Sequence, residues 1–310
     1  MIGVDLFSGC GGMALGFQKA KIKVVKAYEY WDEAIKCYKE NFKHPIQKAD
    51  LGNYQLYTED IARSTPDIIF GGPPCQDFSH AGNRREGNNA DLTRAYAEIV
   101  SSVLPRWYVM ENVDRSRKSV AYNTARDLLK SSGYGITEIV LDASLCGAPQ
   151  KRKRFFSIGL LNAEDGFLLD ELEKNLSKEP MTVRKFFNGR FDIEHYYRHP
   201  RNYNRRAIFS IDEPSPTIRG VNRPVPAGYP GHPNDPVEIE GVRELSTFER
   251  SLIQTFPEDF IFPSKAKTTN EQLIGNAVPV KLAEYVAKAV MKYNLSETCP
   301  REEDQLIQSL

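Results

Sequence analysis

The chain is poor in cysteine, has no long apolar run and has no excess of either charge. Its five cysteines, Cys10, Cys37, Cys75, Cys146 and Cys299, stand far apart with no Cys-x-x-Cys among them. An odd number at such spacing argues against a disulfide framework and gives no zinc signature, so no metal is expected and reduced thiols fit a cytoplasmic protein. No stretch approaches the roughly 18 apolar residues of a membrane-spanning helix. Met1-Ile2-Gly3-Val4-Asp5 has neither a basic start nor an apolar signal core, so no membrane partner is expected. With 41 basic and 41 acidic residues the formal net charge is zero; any surface for nucleic acid must therefore be local rather than a uniform basic coat. No internal repeat or low-complexity segment is visible.

What is present is enough for a large domain with a smaller companion: 310 residues, 41% apolar and 26% charged. Short β-prone runs at 2–7, 24–29, 67–70, 107–111, 135–141 and 155–161 alternate with helical stretches. The first helix is expected at 13–19, after the turn Ser8-Gly9-Cys10-Gly11-Gly12. A second places Trp31, Ile35, Tyr38 and Phe42 on one face, a third at 92–104 buries Leu92, Tyr96, Ile99, Val100 and Val103, and a fourth spans 120–129. This alternation predicts an α/β fold, a doubly wound and mostly parallel sheet.

The texture changes at Asn162. Between there and Gly241 stand nine prolines, from Pro180 to Pro236, with little periodicity after Phe187, which predicts a smaller, loop-rich domain. From Arg184 to Arg223 nine basic residues face four acidic ones, an excess of nine minus four, five, with Tyr196, Tyr197 and Tyr203 interleaved. Basic and aromatic groups alternate in this way on nucleic-acid surfaces, although a solvated loop region would read the same. Helical pattern returns at 246–255 and again after Pro279, where Leu282, Tyr285, Val286, Ala289, Val290 and Tyr293 form one apolar face. The expected division is therefore 1–161 plus 243–295 as the large domain, 162–242 as the small one, and 296–310 as a polar tail.

Two stretches suggest chemistry. Gly71-Gly72-Pro73-Pro74-Cys75-Gln76-Asp77-Phe78-Ser79 presents a thiol on a stiffened turn after a strand, where loops of open α/β sheets hold reactive groups. A lone cysteine reads equally as a small buried hydrophobe. Gly9-Cys10-Gly11-Gly12-Met13-Ala14 fits the pattern Gly-x-Gly-x-x-Ala after a strand, and Glu29 lies twenty residues beyond Gly9. That combination predicts an adenosine ligand, NAD as readily as another.

Five motifs in one order narrow the reading: Asp5-Leu6-Phe7-Ser8-Gly9-Cys10-Gly11-Gly12, Gly72-Pro73-Pro74-Cys75-Gln76-Asp77-Phe78-Ser79, Glu111-Asn112-Val113, Gln150-Lys151-Arg152-Lys153-Arg154 and Gly275-Asn276-Ala277-Val278-Pro279. With them the chain resembles the cytosine-C5 DNA methyltransferases of bacterial restriction-modification type, over residues 1–161 and 243–293. The resemblance implies a Rossmann-like fold that binds S-adenosylmethionine rather than NAD, with 162–242 as target-recognition domain. It places Phe7 against the adenine, the turn of Gly9, Cys10 and Gly12 beneath the methionine part, Glu29 on the ribose, Tyr30 beside the base and Asp50 at the adenine amino group. Pro74, Leu92 and Asn276 would close the pocket. The implied partner is double-stranded DNA, met by a monomer.

The same resemblance implies the reaction. Cytosine C5 is too weak a nucleophile to take a methyl group until a thiolate, that of Cys75, adds at C6. Glu111 would hold N3 and the exocyclic amine, for which its pKa must be raised. Arg152 and Arg154, two apart and so on one face of a strand, would contact the target nucleotide and orient Glu111. The base must be flipped from the duplex, and among Arg198, Arg201, Arg205 and Arg206 at least one is expected to read guanine. One departure stands out. Where the family writes Arg-x-Leu-Thr-x-Arg-Glu-x-Ala-Arg, this chain has Arg243-Glu244-Leu245-Ser246-Thr247-Phe248-Glu249-Arg250-Ser251-Leu252, which puts the packing of the recognition domain in question. Among rival readings, a tRNA cytosine-C5 methyltransferase would carry Cys-Phe-Thr in the recognition region, but no cysteine occurs between Cys146 and Cys299. A non-catalytic nucleic-acid-binding protein would not be expected to keep Cys75, Glu111, Arg152 and Arg154 together, and a nicotinamide oxidoreductase has no use for Cys75 beside Glu111.

Overall fold

A computed structural model describes residues 1–74, 90–202 and 204–298. The chain runs β1 (Ile2–Leu6), α1 (Gly12–Lys19), β2 (Lys23–Glu29), α2 (Asp32–Asn41), β3 (Ile46–Lys48), α3 (Gln55–Arg63), β4 (Ile68–Gly71), α4 (Ala90–Val103), β5 (Trp107–Asn112), α5 (Val120–Ser131), β6 (Tyr134–Asp142), β7 (Gln150–Lys151) and β8 (Lys153–Leu161). It continues through α6 (Leu169–Lys174), α7 (Val183–Phe187), β9 (His195–Tyr197), β10 (Ile208–Ser210), β11 (Ser215–Pro216), α8 (Thr247–Ile253), α9 (Lys267–Asn276) and α10 (Val280–Thr298). The expected strands and helices are all found within a few residues of their predicted bounds. The sequence reading did not single out α3 and α9.

Seven strands form one sheet in the order β3-β2-β1-β4-β5-β8-β6. The first five are parallel, and β8 runs antiparallel to both of its neighbours. Successive side chains on a strand point to opposite faces, and both faces are covered at the centre of the sheet, so β4 and the first four residues of β5 are apolar and buried. Ile68, Phe70, Trp107 and Val109 pack toward α1 and α10. Ile69, Tyr108 and Met110, on the other face, pack toward α4 and α5. The chain winds outward from β1 to β3 and then returns to lay β4 on the other side of β1, so a crevice opens at the carboxyl ends of β1 and β4. Leu6 lies opposite Gly71, and Gly71 opposite Met110. Gly71 is required there, because a Cβ would run into the Leu6 carbonyl oxygen.

A second core joins Val183, Phe187, Tyr196, Phe209, Ile211 and Ile218 to Leu245, Ile253 and Ile274. The expected division at residue 162 does not coincide with this change of core. Leu168 and Leu172 pack into the first core beside α10, and the returning segment from 245 to 274 supplies part of the second. Helix α10 also continues to Thr298, past the expected start of the tail; residues 299–310 lie outside the described residues.

The packing questioned at 243–252 is made by other means. Ser246 and Glu249 form a reciprocal capping box that starts α8, and Arg243 pairs with Glu249 at 2.6 Å. Arg250, nearly buried, pairs with buried Glu271 on α9 and donates to the Arg219 carbonyl. Helix α9 then meets the segment 219–220 backbone to backbone. A Cβ on Gly275 would collide with the main chain of Arg219 and Gly220. Gly275→Ala is expected to cost about 1–3 kcal/mol by overpacking, seen as a lower urea midpoint at unchanged slope. An unchanged midpoint would mean that the two segments separate freely.

Candidate active site

The turn after β1 is held in left-handed conformations at Phe7 (φ 55°), Gly9 (φ 54°) and Gly11 (φ 95°). Such a φ at phenylalanine costs on the order of 1–3 kcal/mol and persists only where surrounding contacts impose it. Here the residues that follow Phe7 are pinned to the end of β2: Ser8 N donates to the Tyr28 carbonyl at 3.1 Å and Gly9 N to the Glu29 carboxylate at 2.7 Å, and that carboxylate also accepts from Tyr30 N and Trp31 N, each at 2.8 Å. Gly11 and Gly12 are glycines for packing, since a Cβ would enter the Phe42 ring at one and meet the Val278 carbonyl at the other. Gly9 has nothing within 4 Å of its Cβ position, so open space lies over the turn. Cys10, expected at the ligand, turns its thiol into the core, where it donates to the Leu273 carbonyl at 3.5 Å beside Cys37 and Phe256. A ligand would therefore meet only its backbone.

The other residues expected at the cofactor lie at the ends of neighbouring elements. Tyr30 is 67% exposed. Asp50 accepts from Gly52 N at 3.1 Å and Asn53 Nδ2 at 3.0 Å, which forms a tight turn after β3, and Leu92 Cδ2 lies 3.6 Å from the Cβ position of Gly52. Asn276 is exposed at the end of α9. Pro74 ends the described run beyond β4, and Asn112 Nδ2 donates to the Pro73 carbonyl at 3.1 Å to hold that turn. Cys75, the expected nucleophile, lies outside the described residues.

Two groups that the sequence reading left unassigned lie beneath this turn. Both carboxylate oxygens of Asp5 and the hydroxyl of Ser8 are buried without hydrogen-bond partners among the described residues. Burial first, and repulsion from Glu29 second, push the Asp5 carboxyl well up. Two nearby carboxylates, an open glycine and an exposed aromatic ring fit an adenosyl ligand that also carries positive charge, as S-adenosylmethionine does. The signal in the sequence was Asp5 itself, a carboxylate inside an apolar strand.

Glu111 sits at the end of β5, 8% exposed, with Oε1 2.8 Å from Arg154 Nε. Register explains the pairing: Glu111 lies opposite Phe156 of β8, so Arg154, two residues away, shares its face. Burial raises the Glu111 pKa, and the charges of Arg154 and then Arg152 oppose the rise. Gly72 brings the loop toward Cys75 against this carboxylate, since a Cβ there would lie 2.9 Å from Glu111 Oε2.

Arg152 does not share Arg154's place. It falls between β7 and β8, 2% exposed, and donates to the carbonyls of Ile218, Gly275 and Ala277 at 2.9, 3.0 and 3.1 Å. It reaches Glu111 by charge rather than by contact, and it joins the segment at 218 to the end of α9. The strand-face argument failed here because the strand breaks at this residue.

The basic region is less basic than its count. Arg184 pairs with Glu194 and Asp212, and Arg190 with Glu258. Tyr196 and Tyr197, expected on the surface, are buried, and Tyr203 lies outside the described residues. Of the expected DNA-reading residues, Arg198 donates to the Thr217 carbonyl at 3.0 Å and Arg206 pairs with Glu213, whereas Arg201 and Arg205 are exposed.

The family described as C-5 cytosine-specific DNA methylase matches residues 1–292. The type II methyltransferase M.HindV of Haemophilus influenzae is 54% identical over 293 residues, which cover 94% of this chain and 96% of that protein. M.HgiDI of Herpetosiphon aurantiacus, also a type II methyltransferase, is 50% identical over 291 residues, 94% of each chain. Among solved structures, the S. pombe Dnmt2 methyltransferase superposes with a TM-score of 0.72 at 18% identity, over 96% of this chain and 99% of its own, a likeness of fold.

Arg154→Gln removes the nearest charge that opposes protonation of Glu111. The Glu111 pKa is expected to rise further, read by carboxyl ¹³C NMR. Because the folded value lies above the unfolded one, the stabilising protonated form is complete below the ordinary glutamate pKa and lost as pH rises through the folded value. The variant should therefore lose stability on wild type across that window, by about 3–5 kcal/mol once Glu111 is charged and unpaired. Parallel stability curves at all pH would show that the pair is not coupled.

Proposed function

The chain belongs to the C-5 cytosine-specific DNA methylases, and from that membership we propose how its residues methylate a cytosine of duplex DNA, as the modification enzyme of a type II restriction-modification system. The observation that supports the assignment of roles is the buried Glu111–Arg154 pair, set against the loop that leads to Cys75. S-adenosylmethionine, when bound, supplies an electrophilic methyl group on a sulfonium sulfur. Phe7, Tyr30 and Leu92 would enclose the adenine, with Asp50 at its amino group. Glu29 has one carboxylate oxygen pair already occupied by three backbone donors and would use its remaining acceptor capacity on the ribose. Gly9 and Gly12 would present backbone to the methionine part, while Pro74 and Asn276 close the opening; the unpartnered Asp5 carboxyl and Ser8 hydroxyl would offer oxygen acceptors from below.

Cys75 is the nucleophile of this proposal, by its place in Gly72-Pro73-Pro74-Cys75. Its thiolate adds to C6 of the flipped base, and the electron pair shifts toward N3, where protonated Glu111 donates. The ring is then enamine-like at C5, which takes the methyl group. Loss of the C5 proton to solvent water, return of the N3 proton to Glu111 and expulsion of the thiolate restore the aromatic ring, and the cofactor, its sulfur–methyl bond broken, would leave as a neutral thioether. Arg154 keeps the Glu111 carboxyl oriented, and its charge keeps the pKa from rising so far that the proton cannot be returned. Arg152 acts at one remove, as a positioning residue between the recognition segment and the active end of the sheet.

Tritiated S-adenosylmethionine with duplex DNA or tRNA tests the reading. DNA should take label, Cys75→Ser should abolish transfer, and Glu111→Gln should slow it by about 10²–10⁴-fold with cofactor binding unchanged. Label on tRNA alone would overturn the DNA reading, and Glu111→Gln at full rate would remove its role.

A further inference from the structure

A cavity of about 450 Å³ opens between the β9–β10 hairpin and the segment at 217–219, lined by Arg198, Arg201, Arg205, Arg206 and Arg219. Among the described residues no carboxylate lines it. Three of the five guanidinium groups are fixed. Arg198 donates to the Thr217 carbonyl at 3.0 Å, Arg219 to the His199 carbonyl, and Arg206 pairs with Glu213 while lying 4.3 Å over the centre of the Phe209 ring. Arg201 and Arg205 are exposed and have no hydrogen-bond or ion-pair partner among the described residues.

Glu213 offsets the charge of Arg206, and the four remaining like charges around a concave wall repel one another. The repulsion shows in the fixed members: burial first and Arg219 next push Arg198 down to about 10, and Arg219 is lowered by burial and then by Arg201. A guanine edge offers two acceptors but no net charge, so it leaves this repulsion in place. A phosphate brings a full negative charge and a set of oxygens that matches guanidinium forks.

We propose that this cavity seats one backbone phosphate of the DNA substrate, with Arg201 and Arg205 as the contacting groups and Arg198, Arg206 and Arg219 as its fixed wall. The proposal rests on the reading of DNA as substrate. It also redirects the expectation from sequence that an arginine of this group reads guanine: the side chains converge on one cavity instead of projecting separately. The wall is tied to the catalytic end. Thr217 Oγ1 donates to the Lys151 carbonyl at 2.9 Å, Ile218 N to Gln150 Oε1 at 2.8 Å, and Arg152 to the Ile218 carbonyl. Two residues beyond Arg152 stands Arg154, paired with Glu111. A phosphate in the cavity is thus held at a set distance from the carboxyl that would receive the cytosine, which sets register without reading sequence.

The test is equilibrium binding of duplex DNA by wild type, Arg201→Ala, Arg205→Ala and the double variant, over a salt series and with single methylphosphonates placed in turn along each strand. Both side chains are exposed, so melting temperatures should hold. The double variant should bind all sequences at least about 10-fold more weakly, with a salt slope lower by about one and unchanged site preference in methylation. The methylphosphonate position that costs wild type most should cost the double variant nothing. Relaxed site preference would assign these arginines to base reading and overturn the proposal, as would full retention of methylphosphonate sensitivity. Inorganic phosphate that stabilised wild type but not the double variant, with that sensitivity retained, would assign the cavity to a free anion instead. Failure of wild type to methylate DNA at all would remove the substrate reading, a separate outcome.

Discussion

Burial favours a proton on Glu111, and the Arg154 cation 2.8 Å away opposes it. Most of the active end of this molecule follows from that constraint. Burial alone would raise the carboxyl too far for exchange; an exposed glutamate would be charged at neutral pH. The antiparallel run of β8 against β5 resolves this, because it carries Arg154 to Glu111's face while Phe156, directly opposite, seals the apolar side. A parallel neighbour would need a crossover and would bring its carboxyl end, not its amino end, to the same edge. The one reversed strand of the central order is therefore where the carboxyl needs its counter-ion.

The segment at 218–219 is tied to this end by buried polar contacts, beside the apolar core that it shares with α8 and α9. Gln150 Nε2 donates to Gln254 Oε1 at 2.7 Å, Gln254 Nε2 to the Ala277 carbonyl at 3.1 Å, and Arg152 and Arg250 serve the neighbouring carbonyls. Each donor has one acceptable geometry, so the junction admits little sliding between the segment at 218–219, the end of α9 and the strand that carries Arg154. Such a junction depends on completeness, because a half-satisfied buried network costs more than an apolar one. Gly275 and Gly220 let the backbones come close enough for these bonds to form.

Much of this was legible in residues read in order. The apolar strands, the glycine turn with Glu29 twenty residues on, and the return of a helix after Pro279 are local signals of period and punctuation, and they survived folding. The sequence also placed Glu111 at a strand end with Arg154 as its neighbour, and the structure brings those two together. It was misread where identity was taken for environment. Tyr196 and Tyr197 looked like a stacking surface and are core, and the nine basic residues of the recognition region are partly consumed by Glu194, Asp212, Glu213 and Glu258. Cys10 looked like part of a ligand turn and points away from it.

The amino-acid sequence by itself determined the alternation of strand and helix, the glycine turn after the first strand, and the family of chemistry that its motifs share, because those depend on neighbours a few residues apart. The tertiary structure decided which charges are free. Arg152 and Arg154 are two residues apart, yet a break in the strand sends one guanidinium to three carbonyls and the other to Glu111. Arg201 and Arg205 resemble Arg198 and Arg206 in sequence, but the folded loop brings Thr217 and Glu213 only to the latter pair. Desolvation and pairing are set by what the fold brings within a few ångströms, and no spacing along the chain encodes that directly.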